Sequence, residues 1–467
     1  MSLFPLRLTP FEHYMLADDQ SEYPANFLLR CTFCAPLDLA RLKVALRAVC
    51  VSHHLLRTTV RGSPRNRTKK LQWVAAARHH EPTITSVSAE QGRSLRIPKH
   101  LDLAKSSGLR LWHYPAGDRC VLLGQFHHSC CDGIGAIHFL ESLLGEYDRL
   151  THHRPVRADN FYSASDEWWR ERGRQGKHWT EDWVRVFADL RRVAAYFRAK
   201  PRPLLGSRTE PAPVDDQRPI EELVSQSFDE TETGEICSGA KRRNVTVNDI
   251  LVTALFLAID DWNLRLAGAG ESAPVRIAVP INLRADSDQI SPAINALSFV
   301  LLDRLPAAKT TESLLQSIHA EMRDVKRLGT AWTLIQSLRL AGTIPGGIMR
   351  LLPRDRCLAT SVMSNYGIML GTSPLSNSDA QFIAGGVALE RIEPFVTIRP
   401  NLRAGISAIT YARRLTLTIT QDPRWFSVDD AQRFLALTAE YARQIAITPF
   451  SNGSATKHSM PANGDRV

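Results

Sequence analysis

Two adjacent histidines precede an Asp-Gly pair in His127-His128-Ser129-Cys130-Cys131-Asp132-Gly133. A histidine has an ordinary pKa close to working pH, so either one is a candidate general base. The same stretch admits rival chemistry. His127, His128, Cys130 and Asp132 carry metal-ligating atoms, and Cys130 or Cys131 could serve as a thiolate nucleophile. A plain core histidine, satisfied by backbone, fits as well. The candidate ligands crowd a single turn and no second cluster of ligands converges elsewhere in the chain, so no metal is expected.

The elements around these residues favour a site over a buried core. Cys120 to Phe126 is apolar and reads as a strand, preceded by a second strand from Leu109 to Tyr114 and a turn at Pro115 to Asp118. Beyond the motif, Ile137, Leu140, Leu143, Leu144 and Tyr147 recur at spacings of three and four, the pattern of a helix running to about Leu150. The histidines therefore stand at a strand end, before a tight turn, where rigid elements can present polar groups to a cleft. Upstream, Thr9-Pro10-Phe11-Glu12 reads as a capped helix start, Asn26 to Phe33 as a strand, and Asp38 as the opening of a helix through Leu42, Leu46 and Val49. Downstream, strands are expected at 275–284, 295–302, 361–367, 382–390, 402–411 and 415–421, and a closing helix at 428–445.

The pattern His-His-x-x-x-Asp-Gly resembles the signature of the condensation-type acyltransferase superfamily, which has a chloramphenicol acetyltransferase-like fold. Three further stretches strengthen the resemblance in the right order: Thr246-Val247-Asn248-Asp249, Val279-Pro280-Ile281-Asn282-Leu283-Arg284 and Ser364-Asn365-Tyr366-Gly367. The likeness is nearest to wax ester synthase and alcohol acetyltransferase-like members, because the Asp-Phe-Gly-Trp-Gly motif of peptide-synthetase condensation domains is replaced here by Ile398-Arg399-Pro400-Asn401-Leu402.

The resemblance implies an α/β (α+β) fold of two lobes, each a mixed sheet backed by helices, with a tunnel between them. The expected divisions are an N-terminal lobe at 1–200, a linker at 201–220, a C-terminal lobe at 221–450 and a disordered tail at 451–467. It implies His128 as general base in transfer of an acyl group from a thioester to a hydroxyl. Amide or ester formation from a carrier-bound acyl group, and a non-catalytic lipid-binding protein keeping the fold, are the alternatives. His127, Asp132, Gly133 and Arg284 take structural roles: Asp132 pairs with an arginine, for which Arg284 is the candidate, and Gly133 lets the backbone turn sharply. Asn248, Asn282, Ser364 and Asn365 are candidate substrate-binding residues, with Ser364 or Asn365 facing a developing oxyanion. Acyl-CoA or acyl-phosphopantetheine is the implied co-substrate, with no permanently bound cofactor.

Composition narrows the company this chain keeps. Its 467 residues carry a formal charge of +10, which suits a nucleotide-bearing co-substrate, an acyl carrier protein or an anionic lipid surface. No nucleic-acid-binding motif accompanies the charge, so no nucleic-acid partner is expected. Eight scattered cysteines imply no disulfide framework, and Cys31 and Cys34 read as core residues within a strand. No signal peptide or long apolar span is seen, and a cytoplasmic monomer is expected. The tryptophans and arginines of 166–200 suggest either a helix packed on the core or a peripheral membrane contact.

Overall fold

The computed structural model describes residues 3–62, 71–77, 80–155, 164–173, 200–213, 215, 217–267, 273–284, 291–305, 310–352 and 356–448. The tail and most of the aromatic, arginine-rich stretch lie outside the described residues. Two six-stranded mixed sheets organise the chain.

The N-terminal sheet centres on the strands Asn26–Phe33 and Arg119–His127, which pair antiparallel along their full length. Arg119–His127 also forms a hairpin with Leu109–Ala116, whose far neighbour is the short parallel strand Ile84–Ser86. Both faces of this sheet are covered, which explains why its central strands read as nearly continuous apolar runs. One face bears Phe27, Leu29, Leu122 and Phe126 against the helices Leu39–Val49 and Gly133–Thr151. The other bears Leu28, Trp112, Val121 and Leu123 in a separate cluster closed by Leu223 and Phe395.

The C-terminal sheet runs Val224–Ser227, Arg414–Gln421, Ala404–Tyr411, Ser361–Ile368, Val275–Asn282 and Leu297–Arg304. Its parallel pairs are those of Ser361–Ile368 with its two neighbours. The helices Glu230–Arg242, Val247–Ala267, Thr311–Leu328 and Val428–Ile447 contribute apolar residues to its own core. Helix ends follow sequence signals. Asp229 and Glu232, and Ser427 and Asp430, form reciprocal caps, while Gly329 ends its helix at φ 63°, the left-handed conformation that glycine adopts without strain.

Residues 383–395, which chain order assigns to the C-terminal lobe, complete the N-terminal sheet instead. Ile383–Ala384 and Val387–Phe395 add to its edge beside Asn26–Phe33. Arg30 and Glu393 hold this register, with Arg30 Nε and a terminal nitrogen each 2.8 Å from the carboxylate, which is almost fully buried. The expected linker is likewise part of the fold: Leu204 is buried, and Leu205 N–H donates to Asn263 at 2.9 Å. Cys31 is buried as expected, but Cys34 is exposed, because it lies just past the strand end, where its sulfur accepts from Ala388 N–H.

Within the described part of 166–200, the helix Asp166–Glu171 packs inward. Trp169 is buried against His54, and Arg172 is clamped on Glu12 at 2.6 and 2.9 Å. No described helix is long and apolar enough to cross a membrane.

Candidate active site

The histidine strand ends where the two sheets approach each other. Alternation along it sends His127 and His128 to different sides. His128 lines a cavity of about 300 Å³, walled by the first helix (Pro10–Asp18), the motif turn, three strands of the C-terminal sheet and residues 396–402. The wall is mostly apolar, with Phe27, Phe299, Val300, Leu334 and Val362 among the contributors.

His128 itself is half-buried. Its ring meets Phe27 and Phe11 edge-on, with centroids 5.3 and 6.4 Å away. Burial lowers its pKa below the ordinary histidine value, against smaller upward pulls from its own carbonyl, Asp132 and Asn295. The imidazole is therefore neutral near pH 7 and free to accept a proton. The backbone fixes its place: His128 N–H donates to Ala25 O at 2.7 Å, and Asn295 Nδ2 donates to His128 O at 2.7 Å and to Ser129 O at 3.1 Å.

His127 has a different environment. It is fully buried, its Nδ1 accepts from Ser129 N–H at 3.0 Å, and its Nε2 lies 3.5 Å from Asp19. The same carboxylate takes His100 at 2.8 Å and Ala25 N–H at 2.8 Å. Burial pushes the Asp19 pKa up, but the bonds and charges of His100 and His127 outweigh it and hold the group ionised. His127 therefore anchors the strand end and does not line the cavity.

Asp132 is the N-cap of the helix Gly133–Thr151 and is saturated by donors. Arg284 gives two parallel bonds of 2.9 Å, Gly135 N–H one of 2.7 Å and Ala296 N–H one of 2.8 Å. Both side chains of the ion pair are nearly inaccessible, at 4% for Arg284 and 3% for Asp132. Burial alone would raise the Asp132 pKa, but the Arg284 charge and these hydrogen bonds lower it. Asn282 lines the cavity, and its Oδ1 accepts from the backbone N–H of Arg284 at 3.0 Å and from its guanidinium at 3.4 Å, so it helps to orient the arginine.

Ser364 and Asn365 line the cavity from the middle of their strand. Asn365 Oδ1 is committed to Gly367 N–H at 2.9 Å across a local irregularity in the strand, which leaves its amide nitrogen as the available donor.

Two expectations need correction. Gly133 does not serve a sharp backbone turn: it is the first residue of a regular helix and lies outside the left-handed region. Glycine is needed there because a Cβ would fall inside the ring edge and hydroxyl of Tyr366. Asn248 does not border the cavity. It sits in the first turn of Val247–Ala267, where Thr246 and Asp249 cap each other and Asp249 pairs with His319 at 2.8 Å. The Thr-x-Asn-Asp pattern is thus explained locally by capping.

Cys130 and Cys131 are sealed in the core, and burial pushes both thiols well above their ordinary value, the opposite of an activated nucleophile.

Several contributors carried no local signal. Residues 291–296 cradle the motif: besides Asn295 and Ala296, Ile294 O accepts from Asp132 N–H at 3.2 Å, and Ala293 N–H donates to His53 Nδ1 at 2.9 Å. His53 in turn contacts Ser142 on the motif helix at 3.1 Å, and burial lowers its pKa to about 3. Tyr366, Tyr14 and the ion pair of Asp18 with Arg399 also line the cavity, the pair at 2.5 and 2.8 Å. Arg399 could have been noticed as a charge in an otherwise apolar and proline-bearing segment, but its partner lies 381 residues away.

This fold and sequence have relatives. An uncharacterized protein of Mycobacterium tuberculosis, Rv2305, is 26% identical over 381 residues, covering 78% of this chain and 83% of the relative. Among solved structures, the first condensation domain of the calcium-dependent antibiotic synthetase superposes with a TM-score of 0.65 at 16% identity, over 95% of this chain and 97% of that one. The starter condensation domain of rhizomide synthetase, in complex with C8-CoA and Leu-SNAC, gives 0.64 at 15% identity, over 95% and 94%. Polyketide synthase associated protein 5 from Mycobacterium tuberculosis gives 0.61 at 16%, over 95% and 98%. The two-lobed, chloramphenicol acetyltransferase-like fold is shared across them. The Condensation domain family matches residues 11–267, more than half of the chain, and the protein belongs to that family.

Proposed function

We propose that this protein transfers an acyl group from a thioester, carried by coenzyme A or by a carrier protein, to a hydroxyl acceptor, with His128 as general base. Family membership supports an acyl-transfer or condensation role at the coarse level. The observation that carries the finer reading is the state of His128: it is neutral, it faces a largely apolar cavity, and the neighbouring carboxylate is wholly occupied elsewhere. Because Asp132 is committed to Arg284 and to two backbone N–H groups, we assign proton acceptance to the imidazole.

In the proposed step His128 removes the proton from the acceptor oxygen as that oxygen bonds to the thioester carbonyl. The tetrahedral oxyanion collapses, the carbon–sulfur bond breaks, and the thiolate leaves with the proton that His128 holds. Ser364 and the Asn365 amide are the candidate donors to the oxyanion. Fixing both substrates in one cavity removes much of the entropic barrier.

An amine acceptor, giving an amide, is the second reading, favoured by the likeness to peptide-synthetase condensation domains. The test follows thiol release from acyl-CoA and from acyl-loaded carrier protein with pooled alcohols and pooled amines. Ester formation that disappears in His128→Ala supports the proposal. Amide formation alone replaces it by the second reading, and no transfer with either pool refutes both.

A further inference from the structure

The wall of the large cavity is mostly apolar, so a polar group that stays open to it is a candidate for selecting the substrate. Three arginines border the cavity, and they differ in exposure. Arg284 and Arg276 are closed against Asp132 and Asp303, at 4% and 1%. Arg399 keeps 24% of its side chain exposed. Its Nε and one terminal nitrogen engage Asp18 at 2.5 and 2.8 Å, and among the described residues nothing accepts from the other terminal nitrogen.

Tyr14 borders the same cavity, four residues before Asp18 on the first helix and so on the same helix face. It feels both charges of the pair. Burial raises its pKa, Arg399 opposes the rise and Asp18 adds to it. The phenol therefore stays protonated and able to donate, and among the described residues its hydroxyl has no hydrogen-bond partner.

A salt bridge that merely tied 396–402 to the first helix would need only Asp18 and Arg399. The tyrosine hydroxyl and the spare guanidinium nitrogen are left over, both as donors. Asp18 already neutralises Arg399, so a carboxylate or phosphate brought here meets an opposing charge, and an ammonium meets the arginine. The group that fits is uncharged and offers oxygen lone pairs, as a hydroxyl or a carbonyl does.

The first helix also indicates which substrate carries that oxygen. Phe11 lies against Tyr14 and against His128, with ring centroids 6.2 and 6.4 Å away, so one aromatic ring separates the tyrosine from the imidazole. The substrate beside the imidazole is the one that gives up a proton to it, which is the acceptor. Ser364 and Asn365, the candidate donors to the thioester oxygen, belong instead to the C-terminal sheet.

We propose that Tyr14 and Arg399 select the acceptor by binding a second, uncharged oxygen, a hydroxyl or carbonyl, on an otherwise apolar alcohol whose reacting hydroxyl lies at His128. This inference rests on the acyl-transfer reading and names the acceptor class for it.

The test uses the full chain, one acyl-CoA and acceptors of equal length: octanol, and octanediols and hydroxyoctanones in which the second oxygen is moved along the chain. For wild type, kcat/KM with the best oxygenated acceptor should exceed that with octanol tenfold or more. Tyr14→Phe removes only the hydroxyl, and Arg399→Lys keeps a charge for Asp18 but loses the fork. Each should shrink the preference at least fivefold, with melting temperatures recorded to confirm folding. Tyr14→Phe strands no charge, so it decides the matter if Arg399→Lys does not fold. Equal use of octanol and the oxygenated acceptors by wild type, or an unaltered preference in folded Tyr14→Phe, overturns the assignment and leaves acyl transfer standing. A preference that arises only when the extra oxygen is placed on the acyl donor overturns it as well. Transfer to no alcohol refutes the acyl-transfer reading, and ligand-observed NMR then decides the site separately. Tighter binding of an octanediol than of octanol, weakened in Tyr14→Phe, supports it, and equal binding overturns it.

Discussion

Asp132→Ala tests whether the motif carboxylate is architecture or chemistry. The substitution removes the acceptor for two Arg284 bonds and for the N–H groups of Gly135 and Ala296. What remains is an arginine side chain at 4% exposure, with Ile294 O at 3.0 Å as its best surviving acceptor. Removing one partner of such a buried pair costs about 3–5 kcal/mol, because the other charge stays buried and uncompensated. The individual bonds cannot be summed on top of this, since they share the same desolvation. Urea unfolding of wild type and variant should therefore separate by that amount in stability. Adding Arg284→Met to Asp132→Ala should recover part of the loss, because it removes the stranded charge. Acid unfolding gives an independent check. The Asp132 pKa is lower in the folded than in the unfolded chain, so its stabilisation is complete above the unfolded value of about 4 and is lost as pH falls through the folded value. Wild type should thus lose its advantage over Asp132→Ala below about pH 4. A variant that unfolds with wild type at neutral pH, yet has lost its rate, would move Asp132 into the chemistry and refute this account.

Three more outcomes follow from the same geometry. His128→Ala should lose roughly 10²–10⁴ in acyl-transfer rate with its melting temperature retained, and the wild-type rate should fall in acid only below the ordinary histidine range, since burial lowers the His128 pKa. His127→Ala should instead be destabilised, because it breaks the contact with Asp19 and the support of Ser129 N–H, as thermal melting will register. Gly133→Ala should cost about 1–3 kcal/mol by forcing the Tyr366 ring aside, and the loss should shrink in a Tyr366→Leu background if that clash is the cause.

The parts of the site legible in the sequence were those whose signals are local. The histidine strand, its hairpin partner and the helix after Asp132 are written in apolar alternation and in a three-to-four spacing, and they lie at Arg119–His127, Leu109–Ala116 and Gly133–Thr151. Long-range pairings leave no such trace. Asn295 read as the first residue of a strand, yet the strand begins at Leu297, and Asn295 stays outside to hold the carbonyls of His128 and Ser129. Nothing in the sequence of the strand Val387–Phe395 marks its sheet, and only its pairing with Asn26–Phe33 reveals that it crosses to the other one. Asn248 shows the opposite hazard: a conspicuous polar cluster at a helix start was fully explained by capping between Thr246 and Asp249.

The crossing strand also explains why the site can be stiff although it is built from both halves. A cavity between two independent lobes would widen whenever the lobes rocked apart, and His128 would lose its register with Ser364 and Asn365. Here the chain returns through the first sheet, locked by Arg30 and Glu393, before 396–402 passes along the cavity wall. That segment is then tied back at two further points, by Thr397 to Asn26 O at 3.0 Å and by Arg399 to Asp18 at 2.5 and 2.8 Å. Residues 291–296 do the same from the other side, binding the motif turn through Asn295, Ala296 and Ile294. Two segments of the C-terminal half, 291–296 and 396–402, are thus tied to the elements around His128. His128 is held by the C-terminal half as much as by the half that encodes it.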